Sequence, residues 1–288
     1  MRIEDKDNIV TIPKDSELYP KALRSLPDSP NALYAIGNTA LLTMRKFTIV
    51  GSRTTPAHAL KLGLTIAKDL TQNFVIVTGT ADGGDSSAIE GAVLGGGKVI
   101  CVLAGGFSAL PQNNIPLLQR VVTSGGLLVS PHPYDTGVRA YSYEYRNKVL
   151  ACLGEAVLVL GAGQKSGALI TARYAQKGKK DVFALPYPPN THAGVGCNAL
   201  IKDGAFLTES VEDIAKHLGV SVTKESKSVN LTKDEETVLN ALREQGEGHI
   251  QELALKTGVP VFKAKMVLSA LEIKGLAVSL GANRYGCV

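Results

Sequence analysis

Three short stretches carry side chains suited to holding an anion. In the first, Phe47-Thr48-Ile49-Val50 runs into Gly51-Ser52-Arg53. The segment from Pro56 to Leu70 reads as a helix, with Thr55 at its N-cap and Pro56 at its first position. A turn between a strand and a helix N-terminus presents free backbone N–H groups and the positive end of a helix dipole. A hydroxyl and a guanidinium beside them complete a phosphate cradle. The second stretch is Tyr141, Tyr143 and Tyr145 at period two, then Arg146-Asn147-Lys148, which opens a helix to about Leu153. Extended tyrosines put their rings on one face, where a base stacks while a cation takes its phosphate. The third is Lys165-Ser166-Gly167, closing a glycine-rich loop from Gly161. The plainer readings are tight turns, packing tyrosines and solvated charges.

The elements that must position these stretches are legible. Strand-length apolar runs occur at Phe47–Val50, Phe74–Val77, Val99–Leu103, Leu127–Val129, Ala156–Leu160, Val182–Leu185 and Ala205–Leu207, with helical segments between most of them. The runs are apolar throughout rather than alternating, as in strands buried on both faces. The fold predicted is α/β, a doubly wound, Rossmann-like and mostly parallel sheet. Such sheets bind ligands at the carboxyl ends of the strands, near a switch in strand order. The loops 51–53, 79–85, 105–107 and 161–167 all fall on that rim, and their glycines let a ligand approach the backbone.

At 288 residues, 44% hydrophobic and 20% charged, the composition is globular. A net charge of +5 permits a polyanionic partner without demanding one. Cys101, Cys152, Cys197 and Cys287 are far apart and form no zinc-ligand spacing, which points to a reducing compartment. No apolar signal region opens the sequence and no apolar span reaches ~20 residues, so a soluble, cytoplasmic protein without membrane contact is expected. The domains predicted are a lead-in over 1–45 packed on the core, a Rossmann-like domain over 46–218, a polar linker over 219–230 and a winged-helix domain over 231–288. In the last, Thr232-x-x-Glu235 is a capping box, helices follow at Ile250–Lys256 and Val261–Ile273, and Gly275 stops the third. Leu276–Leu280 and Arg284–Cys287 pair around Gly281-Ala282-Asn283. Lys263 and Lys265 are its candidates for duplex contact, but acids and bases nearly balance there, so a protein-contact or structural role stands beside that one.

From about Tyr19 to the C-terminus the sequence resembles the DNA-processing protein A family (DprA/Smf). The resemblance rests on Tyr19-Pro20 with Pro30, Leu33 and Gly37-Asn38; on Ile49-Val50-Gly51-Ser52-Arg53; and on Pro111-Gln112-Asn113-Asn114. It continues through Arg146-Asn147-Lys148, Ser166-Gly167-Ala168-Leu169-Ile170-Thr171-Ala172 and Gly196-Cys197-Asn198-Ala199-Leu200-Ile201 with Gly204-Ala205. There are departures. Asp82 stands where the family has an arginine, Ile89 where it has a histidine and Gly161 where a glutamate is frequent. Tyr143-Glu144 replaces a phenylalanine-proline. The chain thus looks like a divergent member, with a carboxylate in a phosphate-facing loop.

The resemblance implies a non-enzymatic protein that binds single-stranded DNA and delivers it to a RecA-type recombinase in natural transformation and DNA processing. It also implies a homodimer through the α/β domain. In that reading Gly51, Ser52 and Arg53 hold a phosphate, Arg146, Asn147 and Lys148 hold others, Tyr143 stacks on a base, and Lys165, Ser166 and Gly167 line the same rim. No cofactor, metal or catalytic residue is called for. A second reading is a sensor or enzyme for a nucleotide or phosphorylated small molecule, with Asp82 and Asp85 facing a ribose or acting as acid and base. Neither a G-x-G-x-x-G fingerprint nor a Walker lysine supports it, and His132 and His192 read as solvated loop residues. A third is a transcription regulator reading duplex DNA through the winged unit. Deleting residues 224–288 separates the first from the third: band shifts retain single-strand binding under the first and lose duplex binding under the third.

Overall fold

The computed structural model describes residue 3 and residues 5–223, 231–274, 276–281 and 283–287. Two compact units divide it, Met1–Thr223 and Lys224–Val288. Residues 224–230 of the expected linker, Gly275 and Ala282 lie outside the described residues.

The first unit begins with β1 (Val10–Pro13), α1 (Lys21–Arg24) and β2 (Ala32–Gly37). It continues with β3 (Lys46–Val50), α2 (Ala57–Leu70), β4 (Val75–Thr78), α3 (Gly84–Leu94), β5 (Val99–Val102), α4 (Ile115–Thr123) and β6 (Leu127–Ser130). After α5 (Ala140–Leu153) come β7 (Val157–Val159), α6 (Gly167–Lys177), β8 (Val182–Ala184), α7 (Val195–Lys202), β9 (Phe206–Leu207) and α8 (Val211–Leu218). The 9-stranded sheet has the order β1-β2-β6-β5-β4-β3-β7-β8-β9. From β3 to β9 all pairings are parallel, and β1 and β2 join antiparallel beyond β6. The expected α/β fold is thus present, with each apolar run seated as a strand. Phe47, Ile49, Ile76, Val77, Ile100, Leu128 and Leu158 are buried, because residues on both faces of a parallel sheet meet helices.

Strand order decides where a ligand can sit. The chain steps outward from β3 through β4, β5 and β6, then α5 carries it back to the other flank of β3, where β7 begins. The loops after β3 and β7 therefore diverge and leave a crevice at the switch point. Several bonds fix α5, the returning helix. The Lys180 ammonium donates to the carbonyls of Ala151 (2.9 Å), Cys152 (2.5 Å) and Gly154 (2.6 Å), covering the helix C-terminus. The Tyr145 hydroxyl donates to the Asp28 carbonyl at 2.7 Å, and burial, its largest influence, raises its pKa to about 12.

The second unit holds α9 (Lys233–Gln245), β10 (Glu247–His249), α10 (Ile250–Thr257), α11 (Val261–Ile273), β11 (Ala277–Gly281) and β12 (Arg284–Cys287). Its 3-stranded sheet has the order β10-β12-β11. The first of these strands is short and carries Gly248, and no apolar run announces it. Val238, Leu242, Leu253, Leu268 and Leu271 form its core. The capping box is closed: Thr232 N–H donates to Glu235 Oε2 at 2.7 Å, and Glu235 N–H to Thr232 Oγ1 at 3.3 Å.

Lys274 Nζ lies 2.6 Å from Glu235 Oε1. The Lys274 hydrogen bond and the Thr232 N–H hold the Glu235 carboxyl below the usual carboxylate range. Its contribution is present above the ordinary glutamate pKa and is lost as pH falls through the lowered one. The protection factors of the Thr232 and Glu235 amides, with the intrinsic pH dependence of exchange divided out, are therefore expected to fall on acidification through that window. In Glu235→Gln they should be lower at neutral pH, and the acid step should flatten.

Candidate nucleic-acid interface

The crevice between the loops after β3 and β7 opens into a cavity of about 590 Å³. Its near wall is the turn Gly51-Ser52-Arg53-Thr54, its far wall Gly163 to Ala168, and α5 supplies Tyr143, Arg146, Asn147 and Leu150. These α5 residues follow the i, i+3, i+4, i+7 spacing of one helical face.

The turn is held by its backbone. Ser52 N–H donates to the Gly161 carbonyl at 2.8 Å, and Thr55 Oγ1 donates to the Ser52 carbonyl at 2.8 Å. Helix α2 begins one residue later than read, with Pro56 as its N-cap. Gly51 packs directly on Gly84, so a Cβ on Gly51 would lie 2.8 Å from Gly84 Cα. Gly83, at φ +86°, turns the chain beneath the turn, and a Cβ there would meet the Ser52 carbonyl at 2.5 Å. This hinge sends Asp82 outward. It is exposed and lines neither this cavity nor the one beside it. The carboxylate expected among the phosphates is thus absent from the wall.

Arg53 and Lys165 are exposed on opposite walls, and among the described residues neither side chain has a hydrogen-bond or ion-pair partner. Ser166 caps α6, its Oγ accepting from Ala168 N–H at 3.3 Å. The positive end of an 11-residue helix therefore opens on the cavity. Asn147 is buried, and its Nδ2 donates to the Gly167 carbonyl at 3.1 Å. It fastens α6 to α5 where the sequence suggested a phosphate contact.

Arg146 is buried to 6% exposure, and Nη1 lies 3.5 Å from Asp85 Oδ2. Its Nε has no partner among the described residues. Asp85 Oδ2 also accepts from Ala81 N–H at 3.3 Å. Burial pushes the Asp85 carboxyl up, and Arg146 and the backbone N–H groups of Ala81 and Gly51 pull against it. A buried guanidinium with one long ion pair has donors to spare, and it faces the cavity beside Thr171, whose buried Oγ1 is also unpartnered.

Lys148 is placed elsewhere. It lies off the face shared by Tyr143, Arg146 and Asn147, pairs with the Asp28 carboxylate and sits 5.7 Å from the Tyr174 ring centre. The tyrosines are not extended either. All three lie on α5, whose start Ser142 fixes by accepting from Arg139 N–H at 3.1 Å. Only Tyr143 reaches the cavity, while Tyr141 points to solvent at 62% exposure and Tyr145 packs on His132. Helix packing against the sheet overrode the period-two pattern.

His132 is not simply solvated, whereas His192 is exposed, as the sequence suggested. His132 is packed against Tyr145, and burial lowers its pKa. His192 stands on the cavity wall. It was missed because it comes from a loop after β8 that only the fold brings there. At Gly161, where the resemblance implied a frequent glutamate, a Cβ would lie 2.6 Å from Thr55 Oγ1 and 3.0 Å from the Tyr187 hydroxyl. That position is filled from behind by Tyr187, which donates to the Leu160 carbonyl.

A family model described as DNA recombination-mediator protein A matches residues 10–219. Protein Smf of Escherichia coli K12 is 35% identical over 216 residues, 74% of this chain and 58% of that protein, so the chain spans less than two thirds of its length. DNA processing protein DprA of Bacillus subtilis 168 is 35% identical over 219 residues, 74% of this chain and 72% of that protein. Among solved structures, DNA processing protein A from Streptococcus pneumoniae superposes with a TM-score of 0.68 at 30% identity, covering 72% of this chain and 74% of that one. The Helicobacter pylori protein, solved for its single-stranded DNA binding mode, gives 0.67 at 30% identity, covering 76% and 98%.

Removing one partner of the buried pair leaves the other uncompensated. Asp85→Ala is expected to destabilise the chain by roughly 3–5 kcal/mol in urea unfolding. The double change Asp85→Asn with Arg146→Met should recover most of that loss, since no buried charge remains.

Proposed function

Because the chain belongs to the DNA recombination-mediator protein A family, we propose that its switch-point cavity holds a single DNA strand and that the protein hands this strand to a recombinase of the RecA type. The observation that carries the reading is the convergence of Arg53, Lys165, the α6 N-terminus and the under-partnered Arg146 beneath the 44% exposed ring of Tyr143. Phosphate oxygens match the donors, and an unpaired base matches the ring. Duplex bases are already stacked and offer the ring no face, so the site favours single strands.

The protein acts by binding, without bond breakage. Asp85, the carboxylate on the wall, is committed to Arg146 and to a backbone N–H, which removes it as acid or base. Gly51, Ser52 and Arg53 take one phosphate, and Lys165, Ser166 and Gly167 the next. Arg146 supplies the buried charge between them, with Asn147 as a positioning residue. Lys148, held by Asp28, plays no part. The recombination-mediator description of the family supports the handover; a homodimer through the first unit and work in the cytoplasm belong to the same proposal.

Residues 219–223 of the expected linker belong to the first unit, with Val220 and Val222 packed on its core, while the second unit is an accessory winged-helix domain over 231–288. Its α11 is poorly suited to duplex readout. Lys263 is paired with Asp234 at 2.5 Å, and Phe262 and Met266 are 72% and 69% exposed.

Fluorescence anisotropy with a labelled oligothymidine over a salt series tests the reading. Wild type should bind the single strand in preference to duplex competitor, with affinity falling steeply as salt rises. Arg53→Ala and Lys165→Ala should each weaken binding roughly tenfold or more, as for a lost charge-assisted hydrogen bond. Lys148→Ala should bind as wild type. Displacement of the strand by a mononucleotide at comparable concentration would support a small-molecule site instead.

A further inference from the structure

At its β1 margin the sheet keeps one face open. Thr11 of β1 pairs with Tyr34 of β2, so both side chains lie on the same face, Thr11 exposed and Tyr34 half-buried. Their neighbours Ile12 and Leu33, on the opposite face, are buried. A groove of about 440 Å³ lies over the open face. Tyr34 and Thr11 come to it from the sheet, Lys6 and Ile9 from the segment before β1, and Pro133 to Thr136 from the loop after β6. It shares no residue with the crevice at β3, and β4, β5 and β6 stand between the two. The groove is preformed. Thr136 N–H donates to the Pro133 carbonyl at 3.1 Å, Ser108 Oγ to the Tyr134 carbonyl at 2.8 Å, and Gly106 N–H to the Thr136 carbonyl at 2.8 Å. Lys6 Nζ lies 5.5 Å from the centre of the Tyr134 ring and so pins one side of the groove to the other.

Three observations decide what fits. Tyr34, Tyr134, Pro133 and Ile9 make the lining aromatic and apolar. The charge around it is acidic: Asp135 lines the groove, and the exposed Asp5 and Asp7 flank Lys6, whose ammonium is turned onto the Tyr134 ring. A phosphate backbone is repelled there and a cation is favoured. The free edge of β1, finally, is a poor template for an added strand. Lys14 N–H donates to the Asn31 carbonyl at 2.9 Å, so by antiparallel alternation Thr11 and Pro13 turn their backbone groups outward, and Pro13 has no N–H. We propose that this groove docks a proline-rich segment of a partner protein that carries an arginine among its prolines. A polyproline II helix needs no strand edge, because its own backbone makes no ladder of hydrogen bonds. Its proline rings pack on flat aromatic walls. The Tyr34 hydroxyl, without a partner among the described residues, donates to one of its carbonyls. The arginine pairs with the Asp135 carboxylate. Because the groove and the crevice are separate, a docked segment and a bound DNA strand do not exclude each other.

The test uses the full chain and two labelled nonapeptides of equal length and charge, three repeats of Arg-Pro-Pro and three of Arg-Gly-Gly. Anisotropy should show the proline peptide binding about tenfold tighter, since it arrives extended while the glycine chain must first be ordered. Asp135→Lys, a change at an exposed position, should weaken the proline peptide about tenfold by setting like charges against each other. Tyr34→Ala should do the same by removing an aromatic anchor. A wild-type circular dichroism spectrum in each variant separates loss of the groove from loss of the fold. Equal binding of the two peptides by wild type overturns the proposal, as does binding of neither, or a proline preference that persists in both variants. Displacement of the proline peptide by oligothymidine also overturns it, because the peptide would then lie in the crevice.

Discussion

The site depends on a buried ion pair that has no room to move. Arg146 comes from α5 and Asp85 from α3, two elements otherwise separated by the edges of β3 and β4. Gly79 lies so close that a Cβ there would collide with the Arg146 Nη1 and the Asp85 carboxylate. Above the pair, Gly51 rests on Gly84 with no side chain between them. These contacts hold the phosphate turn, the start of α3 and the returning helix in one block. Burying two charges is costly, and packing alone could have joined the same elements with aliphatic side chains. The ion pair therefore has a use beyond stability. It keeps a guanidinium inside the cavity wall, fixed in place yet only partly satisfied.

Around that block the topology does the rest. Reversal of strand order at β3 parts the loops after β3 and β7, and the crevice that opens is lined by loop backbone together with side chains from the loops and α5. One wall supplies the Ser52-Arg53 turn and the other the capped N-terminus of α6. Asn147 ties the second wall to α5, and Lys180 covers the far end of that helix. Donors are thus aimed before any ligand arrives, so little ordering cost falls on binding. Arg53, Lys165 and Tyr143, with Thr54, Gln164 and His192, are exposed and able to adapt, which suits a ligand whose bases vary while its backbone does not.

Much of this was legible in the sequence, and the failures have common causes. Strands buried on both faces are written as unbroken apolar runs, so the sheet from β3 to β9 could be read directly. The turn at Gly51-Ser52-Arg53 and the loop ending in Ser166-Gly167 were legible because glycine, hydroxyl and cation occur together. Side-chain partners distant in sequence were not. Arg146 and Asp85 are 61 residues apart, and nothing local says that they meet. Lys148 finds Asp28 from 120 residues away and is lost to the site. The tyrosines misled because period two is a strand signal only where packing does not impose a helix. Asp82 misled because a loop was treated as facing one way, whereas Gly83 folds it so that Asp82 and Asp85 part company. His192 carried no local signal and joined the wall through topology alone, and Thr171 was legible only as part of the Ser166–Ala172 motif.

The chain contains no tryptophan, which allows one direct measurement of whether a strand lies where the geometry places it. Tyr143→Trp puts a sole indole on the wall of this cavity. Titration with an unlabelled single-stranded oligonucleotide should quench its emission saturably, at the midpoint given by anisotropy for the same variant. Added salt should restore the emission as the strand leaves. Binding seen by anisotropy without any change in the indole emission would mean that DNA lies on another surface, and the account of this cavity would be wrong.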